Sequence, residues 1–405
     1  MPDAVIVSAA RSPIGRAVKG SLADMRPDDL TAQMVRAALD RVPELDAAQV
    51  DDLMLGCGNP GGEQGFNMAR IVAVALGHDH LPGTTVTRYC ASSLQTTRMA
   101  FHAIKAGEGH AFVSAGVETV SRFGNGTSDS LPGTQNPRFD EAQERTVRQA
   151  EENPPWTDPR EAGLLPDAYI SMGQTAENVA SHTGIGRDEQ DRWAVRSQNR
   201  AEEAIARDHF AREITPVTTP DGRTVTTDDG PRAGTTLEKV AALKPVFRVD
   251  GTVTAGNSCP LNDGAAALVV MSDSRARELG VRPLARIVST AVSGLSPEIM
   301  GLGPVEASRR ALALAGMAVD DVDLVEINEA FAVQVLGSAR ALGIDEDKLN
   351  VSGGAIALGH PFGMTGARIT ASLLNNLDAH DGEVGLETMC VGGGQGMAMV
   401  IERLR

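Results

Sequence analysis

Cysteine is scarce in this chain of 405 residues, and the four that occur, Cys57, Cys90, Cys259 and Cys390, stand singly. Without a C-x-x-C pair there is no sign of a thiolate zinc site or a redox motif, and a reduced, cytoplasmic compartment is the expected setting. Positive charge is also in short supply. The 37 Lys and Arg against 53 Asp and Glu leave a formal net charge of −16, which disfavours nucleic acid or an anionic membrane surface as partner. No run approaches the ~18 consecutive apolar residues of a membrane span, and the opening MPDAVIVSAARSPIG, with an acidic Asp3 and a short apolar stretch, predicts no secretory leader. The patterns G-x-x-x-x-G-K-[ST], H-E-x-x-H and G-x-S-x-G are missing too, which removes P-loop, zincin and α/β-hydrolase chemistry in those forms. What remains is an acidic globular chain, 42% hydrophobic, long enough for two or three structural units.

The first 120 residues alternate short β-rich runs with longer helical patterns. VIVSAA leads to DDLTAQMVRAALDRV, where Leu30, Met34, Val35, Ala38, Leu39 and Val42 share one helical face. The rhythm repeats through VDDLMLGC, FNMARIVAVALG, TTVTRYC, SLQTTRMAFHAIKAG and HAFVSAG, as in an α/β sheet with crossover helices. Residues 123 to 166 break it: six of the 21 prolines fall there, a sheet strand is not expected, and the stretch reads as an excursion over a binding site. Helical patterning resumes at MGQTAENVASHTG and DEQDRWAVRSQNRAEEAIA. A faint internal repeat pairs VIVSAARSPIG with ARIVSTAVSGLSP, QVDDLMLGCGNP with DVDLVEINEAF, and HAFVSAGVETVS with GEVGLETMCVGGG. Its period, above 250 residues, indicates a duplicated α/β half, and ligands in such sheets collect beyond the carboxyl ends of strands.

Four places could carry chemistry. In VTRYCASSLQTTRMAF, Cys90 lies where a β-branched run meets an amphipathic helix, and a helix N-terminus is expected to lower the thiol pKa and make a nucleophile; the alternative is an ordinary buried cysteine. In VSGGAIALGHPFGMTGAR, His360 is flanked by Gly353, Gly354, Gly359, Gly363 and Gly366, a setting in which an imidazole could take a thiol proton, against the alternative of a structural histidine. In ETMCVGGGQGMAMVIE, Cys390 ends a strand and precedes Gly392, Gly393 and Gly394; the spacing fails G-x-G-x-x-G and a strand follows, so no dinucleotide fold is expected. In VDLVEINEAFAVQ, Asn328 ends a strand-like run, and a helix N-cap is the competing role.

Together CASSLQ, AGNSCPLNDGAA, NEAFA, GGAIALGHPFGMTGAR and CVGGGQGMA occur in the order and spacing of the thiolase family, and the resemblance runs nearly end to end. It implies an α/β thiolase fold: two similar halves in a five-layered α-β-α-β-α arrangement, with residues 1–121 plus 247–276 as the N-terminal half, 122–246 as an inserted loop domain, and 277–405 as the C-terminal half. By the same resemblance Cys90 is the acylated nucleophile and His360 its base. Asn328 holds the water that, with His360, forms the enolate oxyanion site, and Cys390 is the second catalytic cysteine. The N–H groups of Cys90 and Gly392 form the other oxyanion hole. The implied reaction is CoA-dependent thiolysis of a 3-ketoacyl-CoA, or its reverse, a Claisen condensation, through an acyl-cysteine. Coenzyme A is then a co-substrate, no bound cofactor or metal is required, and a homodimer or homotetramer is implied. Arg232, Met172, Phe247, Ala255, Cys259 and Phe331 are the candidate CoA and substrate contacts.

The chain departs from the family pattern at several positions. Thr87 stands where asparagine is usual, Ser93 where glycine is, and Cys259 and Pro260 where serine and glycine are common. Ser171 replaces the histidine that short-chain biosynthetic members carry before the methionine matching Met172, which favours a degradative or broad-specificity enzyme. The alternatives are an acetyl-CoA C-acetyltransferase acting on acetoacetyl-CoA, and a non-catalytic acyl-CoA-binding relative. A ketoacyl synthase would need a second histidine in place of the Cys390 motif.

Overall fold

The computed structural model describes residues 2–125 and 132–404; residues 126–131 of the proline-rich excursion lie outside that description. The N-terminal part supplies β1 (Ala4–Arg11), β2 (Gly15–Arg16), β3 (Asp52–Cys57), β4 (Gly83–Val86) and β5 (Ala111–Thr119), with helices α1 (Pro27–Asp40), α2 (Met68–Ala75) and α3 (Ser92–Ala106). The excursion and the segment after it hold α4 (Asp140–Glu152), α5 (Met172–Thr183), α6 (Arg187–Ala206), a hairpin of β6 (Val217–Thr218) and β7 (Thr224–Val225), and α7 (Leu237–Ala241). The chain then re-enters the sheet as β8 (Asn262–Ser272), followed by α8 (Asp273–Leu279) and β9 (Ala285–Gly294). It ends with α9 (Gly303–Ala315), β10 (Leu324–Ile327), α10 (Ala332–Leu342), α11 (Ala355–Leu358), α12 (Thr365–Ala379), β11 (Val384–Val391) and β12 (Gln395–Arg403). As expected from the prolines, the described part of residues 123–166 contains no strand.

The main sheet runs β10-β11-β12-β9-β1-β8-β5-β3-β4, with β2 paired to β8. Read outward from its middle, β1-β8-β5-β3 and β9-β12-β11-β10 follow the same order, the physical form of the internal repeat. The two runs meet where β1 and β9 pair antiparallel over only Val5↔Arg286 and Ile6↔Ala285.

Both faces of these strands are covered, so their side chains divide between cores with period two. Ala266, Leu268 and Val270 of β8 enter a central core while Ala267, Val269 and Met271 enter an outer one. On β12, Met397, Met399 and Ile401 join the central core and Ala398 and Val400 a third. Leu94, Ala100 and Ile104 of α3, with Ile369, Leu373 and Leu377 of α12, fill the centre. Helix α1 closes one outer core through Leu30, Met34 and Leu39, and α9 and α10 close the other through Ala307, Val335 and Leu336. The result is the five-layered α-β-α-β-α arrangement of the thiolase fold. No helix among the described residues is long and apolar enough to cross a membrane.

Candidate active site

Cys90 is presented by a strained turn. Tyr89 takes a left-handed φ of 43°, which a bulky residue adopts only where the surroundings enforce it. The 3-10 turn Tyr89–Ala91 then runs into α3. Ser92 holds the turn, accepting from Arg88 N–H at 2.9 Å and donating to the Tyr89 carbonyl at 2.7 Å.

The expected lowering of the Cys90 pKa is corrected here: burial dominates and pushes the thiol up to about 12. The N–H groups of Gly392 and of Cys90 itself point at the sulfur and pull the other way, while the buried Glu118 carboxylate adds to the rise. At rest Cys90 is a neutral thiol, and it would need a base to act as a nucleophile.

His360 lies in the loop between α11 and α12 and is buried. Its backbone N–H donates to Asn262 Oδ1 at 3.0 Å. The Thr365 hydroxyl donates to the Pro361 carbonyl at 2.7 Å, so its lone pairs face His360 Nδ1 at 2.6 Å. Nδ1 therefore carries the proton and Nε2 is left as the basic nitrogen. Asn328 Nδ2 lies 3.2 Å from that Nε2. Burial, helped by the Arg368 charge, pushes the imidazole down to about 3, so it is neutral at physiological pH.

Asn328 follows β10 and is held by its N–H to the Thr388 carbonyl at 3.0 Å. The next helix, α10, is capped by Phe331, so the N-cap role for Asn328 is excluded. Its Oδ1 is buried without a protein partner among the described residues, leaving an acceptor for water or substrate. Cys390 is fully buried near the end of β11. Burial raises its pKa well above the usual thiol range, and the charges of Cys90 and Cys259 raise it further.

Cys90, Met172 and Gly392 line one cavity of about 420 Å³, together with Asn59, Tyr169 and Phe362. Arg232 and Ala255 do not; they line a separate groove of about 290 Å³ that also carries Arg16 and Lys239. The sequence reading missed these last two cations, because β2 and α7 approach each other only in the fold. The groove's wall includes Ser258, and the next residue, Cys259, is close enough to Cys90 for a negative charge there to raise its pKa, which links groove and cavity. Phe247 and Phe331 stack edge to face at 6.3 Å. Phe331 also bridges Ser258, and Cys259 N–H donates to the Ala330 carbonyl at 3.1 Å. Thr365 and Asn262 were also missed, since nothing in their local sequence marks them as partners of a histidine. Two departures have structural roles: the Thr87 hydroxyl donates to the Gly58 carbonyl at 2.9 Å, and the Ser93 hydroxyl accepts from Ala367 N–H at 2.9 Å, tying α3 to α12.

The chain is similar to known proteins over nearly its whole length. The profile of the thiolase N-terminal domain matches residues 4–274, and that of the thiolase C-terminal domain matches residues 281–403. This chain belongs to the thiolase family. As a thiolase it is an acyltransferase that cleaves 3-ketoacyl-CoA with CoA. A 3-ketoacyl-CoA thiolase of Bacillus subtilis (strain 168) is 43% identical over 415 residues, covering 99% of this chain and 100% of that protein. A 3-oxoadipyl-CoA/3-oxo-5,6-dehydrosuberyl-CoA thiolase of Escherichia coli (strain K12) is also 43% identical, with 100% of both chains covered. The crystal structure of human mitochondrial 3-ketoacyl-CoA thiolase in complex with CoA superposes with a TM-score of 0.84 at 35% identity, covering 100% of this chain and 98% of that one.

Proposed function

We propose that this thiolase works through Cys90 as nucleophile, His360 as its base, Cys390 as the second proton carrier, and the N–H groups of Cys90 and Gly392 as oxyanion donors. The carrying observation is that Cys90 and Gly392 line one cavity with Phe362, whose ring packs edge to face on His360 at 5.2 Å, and that the Gly392 N–H meets the Cys90 sulfur. Cys90 gives its proton to His360 Nε2 as it attacks the keto carbon of a 3-ketoacyl-CoA. The C2–C3 bond breaks, and the departing acetyl-CoA enolate, facing His360 and a water held by Asn328, takes its proton from Cys390. The Cys390 thiolate then accepts the proton of the CoA thiol. CoA attacks the acyl-Cys90 thioester, and Cys90 leaves as a thiolate that recovers its proton from His360. Covalent catalysis splits one displacement into two and predicts ping-pong kinetics.

CoA enters by the groove. Arg16, Arg232 and Lys239 meet its phosphates, and the pantetheine arm passes Ala255, Ser258 and Cys259 toward Phe247, Phe331 and Met172. A cavity of about 420 Å³ beside Cys90 has room beyond an acetoacetyl group, which supports the cleavage direction on longer chains, as in fatty-acid β-oxidation, over a dedicated acetoacetyl-CoA enzyme. The halves are residues 1–121 plus 247–276 and 277–405, with 122–246 inserted. A homodimer or homotetramer is supported by the outer edge of β4 and by the neighbouring Phe66, which is 92% exposed, with Ile71 and Val74. Unpaired thiols at all four cysteines suit a reduced cytoplasm.

The test is CoA-dependent thiolysis of a 3-ketoacyl-CoA series from acetoacetyl-CoA upward, with Cys90→Ala and Cys390→Ala beside the wild type. Turnover that rises with chain length and is lost in both variants is expected. Activity confined to acetoacetyl-CoA would favour the acetyltransferase reading, and acyl-CoA binding without turnover a non-catalytic one.

A further inference from the structure

The turn that carries Cys90 and the glycine turn that carries Gly392 come from opposite halves of the chain, and one pair of side chains spans them. Arg88 donates through Nε to Gln95 Oε1 at 3.0 Å, in the first turn of α3, and through Nη1 to Gln395 Oε1 at 2.9 Å. Gln395 in turn donates through Nε2 to the Gly392 carbonyl at 3.3 Å. The Gly392 N–H points at the Cys90 sulfur, and Cys90 is two residues from Arg88, so the contacts form a closed ring across 307 residues of sequence. Within it, Gly393 and Gly394 take φ values of 77° and 80°. A backbone with that conformational freedom holds a defined orientation only if something grips it.

We propose that Arg88 and Gln395 are positioning residues that set the distance and angle between the Cys90 and Gly392 N–H groups. Oxyanion donors act only when aimed at the place where charge develops, and a small misplacement forfeits much of their effect. The planar guanidinium suits this role, since its fork fixes two amide oxygens in one plane, and Gln395 passes that orientation to the Gly392 peptide. Neither side chain lines the cavity around Cys90, so their loss should act on the chemical steps and leave substrate binding intact.

The inference rests on the thiolase reading, and the experiment separates the two. Arg88→Met, Gln395→Met and the double variant are assayed for thiolysis with the wild type. The pH dependence of Cys90 alkylation by iodoacetamide is followed in each, with Cys90→Ala as the blank. Each single variant should lose roughly 10- to 100-fold in kcat with KM within about twofold. The double variant should lose no more than the worse single, since one break opens the ring. Alkylation of Cys90 should move to higher pH in all three, because a misaimed N–H stabilises the thiolate less. Gln395→Glu, which keeps the acceptor for Arg88 but loses the donor to Gly392, should fall between wild type and Gln395→Met and serves if the methionine variants do not fold. An unchanged kcat and alkylation profile, a rise in KM alone, or losses that multiply in the double variant would overturn the proposal. Absence of turnover in the wild type would instead overturn the thiolase reading.

Discussion

Burial drives the two principal groups of the site toward their neutral forms, the Cys90 thiol up to about 12 and the His360 imidazole down to about 3. A thiolate–imidazolium pair is therefore not the resting state, and in the proposed mechanism proton transfer accompanies attack on the substrate. Because His360 is already neutral far below its ordinary value, kcat for thiolysis should show no acid limb near pH 6.5; a limb there would mean that the ring is solvated in the working enzyme. Thr365 fixes which nitrogen is basic. Thr365→Val removes the acceptor for Nδ1–H and leaves a buried donor unpaired, at a cost of about 1–3 kcal/mol. A tenfold or greater fall in kcat with a lower urea midpoint is expected, and Thr365→Ser should restore both. The chain's motifs point to Cys90 because a lone cysteine stands where a β-branched run meets a helix, and to His360 and Cys390 because a base and a thiol are rare in glycine-dense strings. They do not point to Thr365 or Asn262, whose roles arise only from what lies opposite them.

At the level of elements, the site depends on close approach between β5, α3 and the loop after His360. A Cβ placed on Gly116 would sit 2.1 Å from the Gly363 carbonyl oxygen and 2.5 Å from Ser93 Cβ. Both neighbours are held: Ser93 by Ala367, and Gly363 through its N–H to Glu118 Oε2 at 2.9 Å. Gly116→Ala should therefore destabilise by about 1–3 kcal/mol in urea unfolding and lower kcat as the histidine loop shifts; an unchanged midpoint would show that the layers can part freely. Strands and helices of this layer are legible beforehand, since two-residue and 3.6-residue periodicities reflect which face is buried. The helix α4 is not: with Ala142 and Thr146 as its buried residues it presents little apolar stripe, and prolines on either side suggest only loop.

On the scale of the whole molecule, three cations line one groove of a chain whose net charge is −16. A local positive site in an overall negative field attracts a polyanion at short range while the rest of the surface repels it, so CoA binding should weaken as salt screens the groove. Raising ionic strength should increase KM for CoA with little change in kcat, and Arg16→Ser with Lys239→Ser should raise KM several-fold and flatten that salt dependence. An unaltered KM would place the nucleotide elsewhere.

Residue types and their spacing were enough to determine the family and the layered α/β fold and to nominate the reactive groups, because burial periodicity and rare chemistry are written locally along the chain. Protonation states, the tautomer of His360, the cationic groove and the Arg88–Gln395 bridge were decided by tertiary structure alone. Desolvation depends on everything that surrounds a group, the turn after His360 has to fold before Thr365 faces Nδ1, and the groove and the Arg88–Gln395 bridge join residues that lie far apart along the chain.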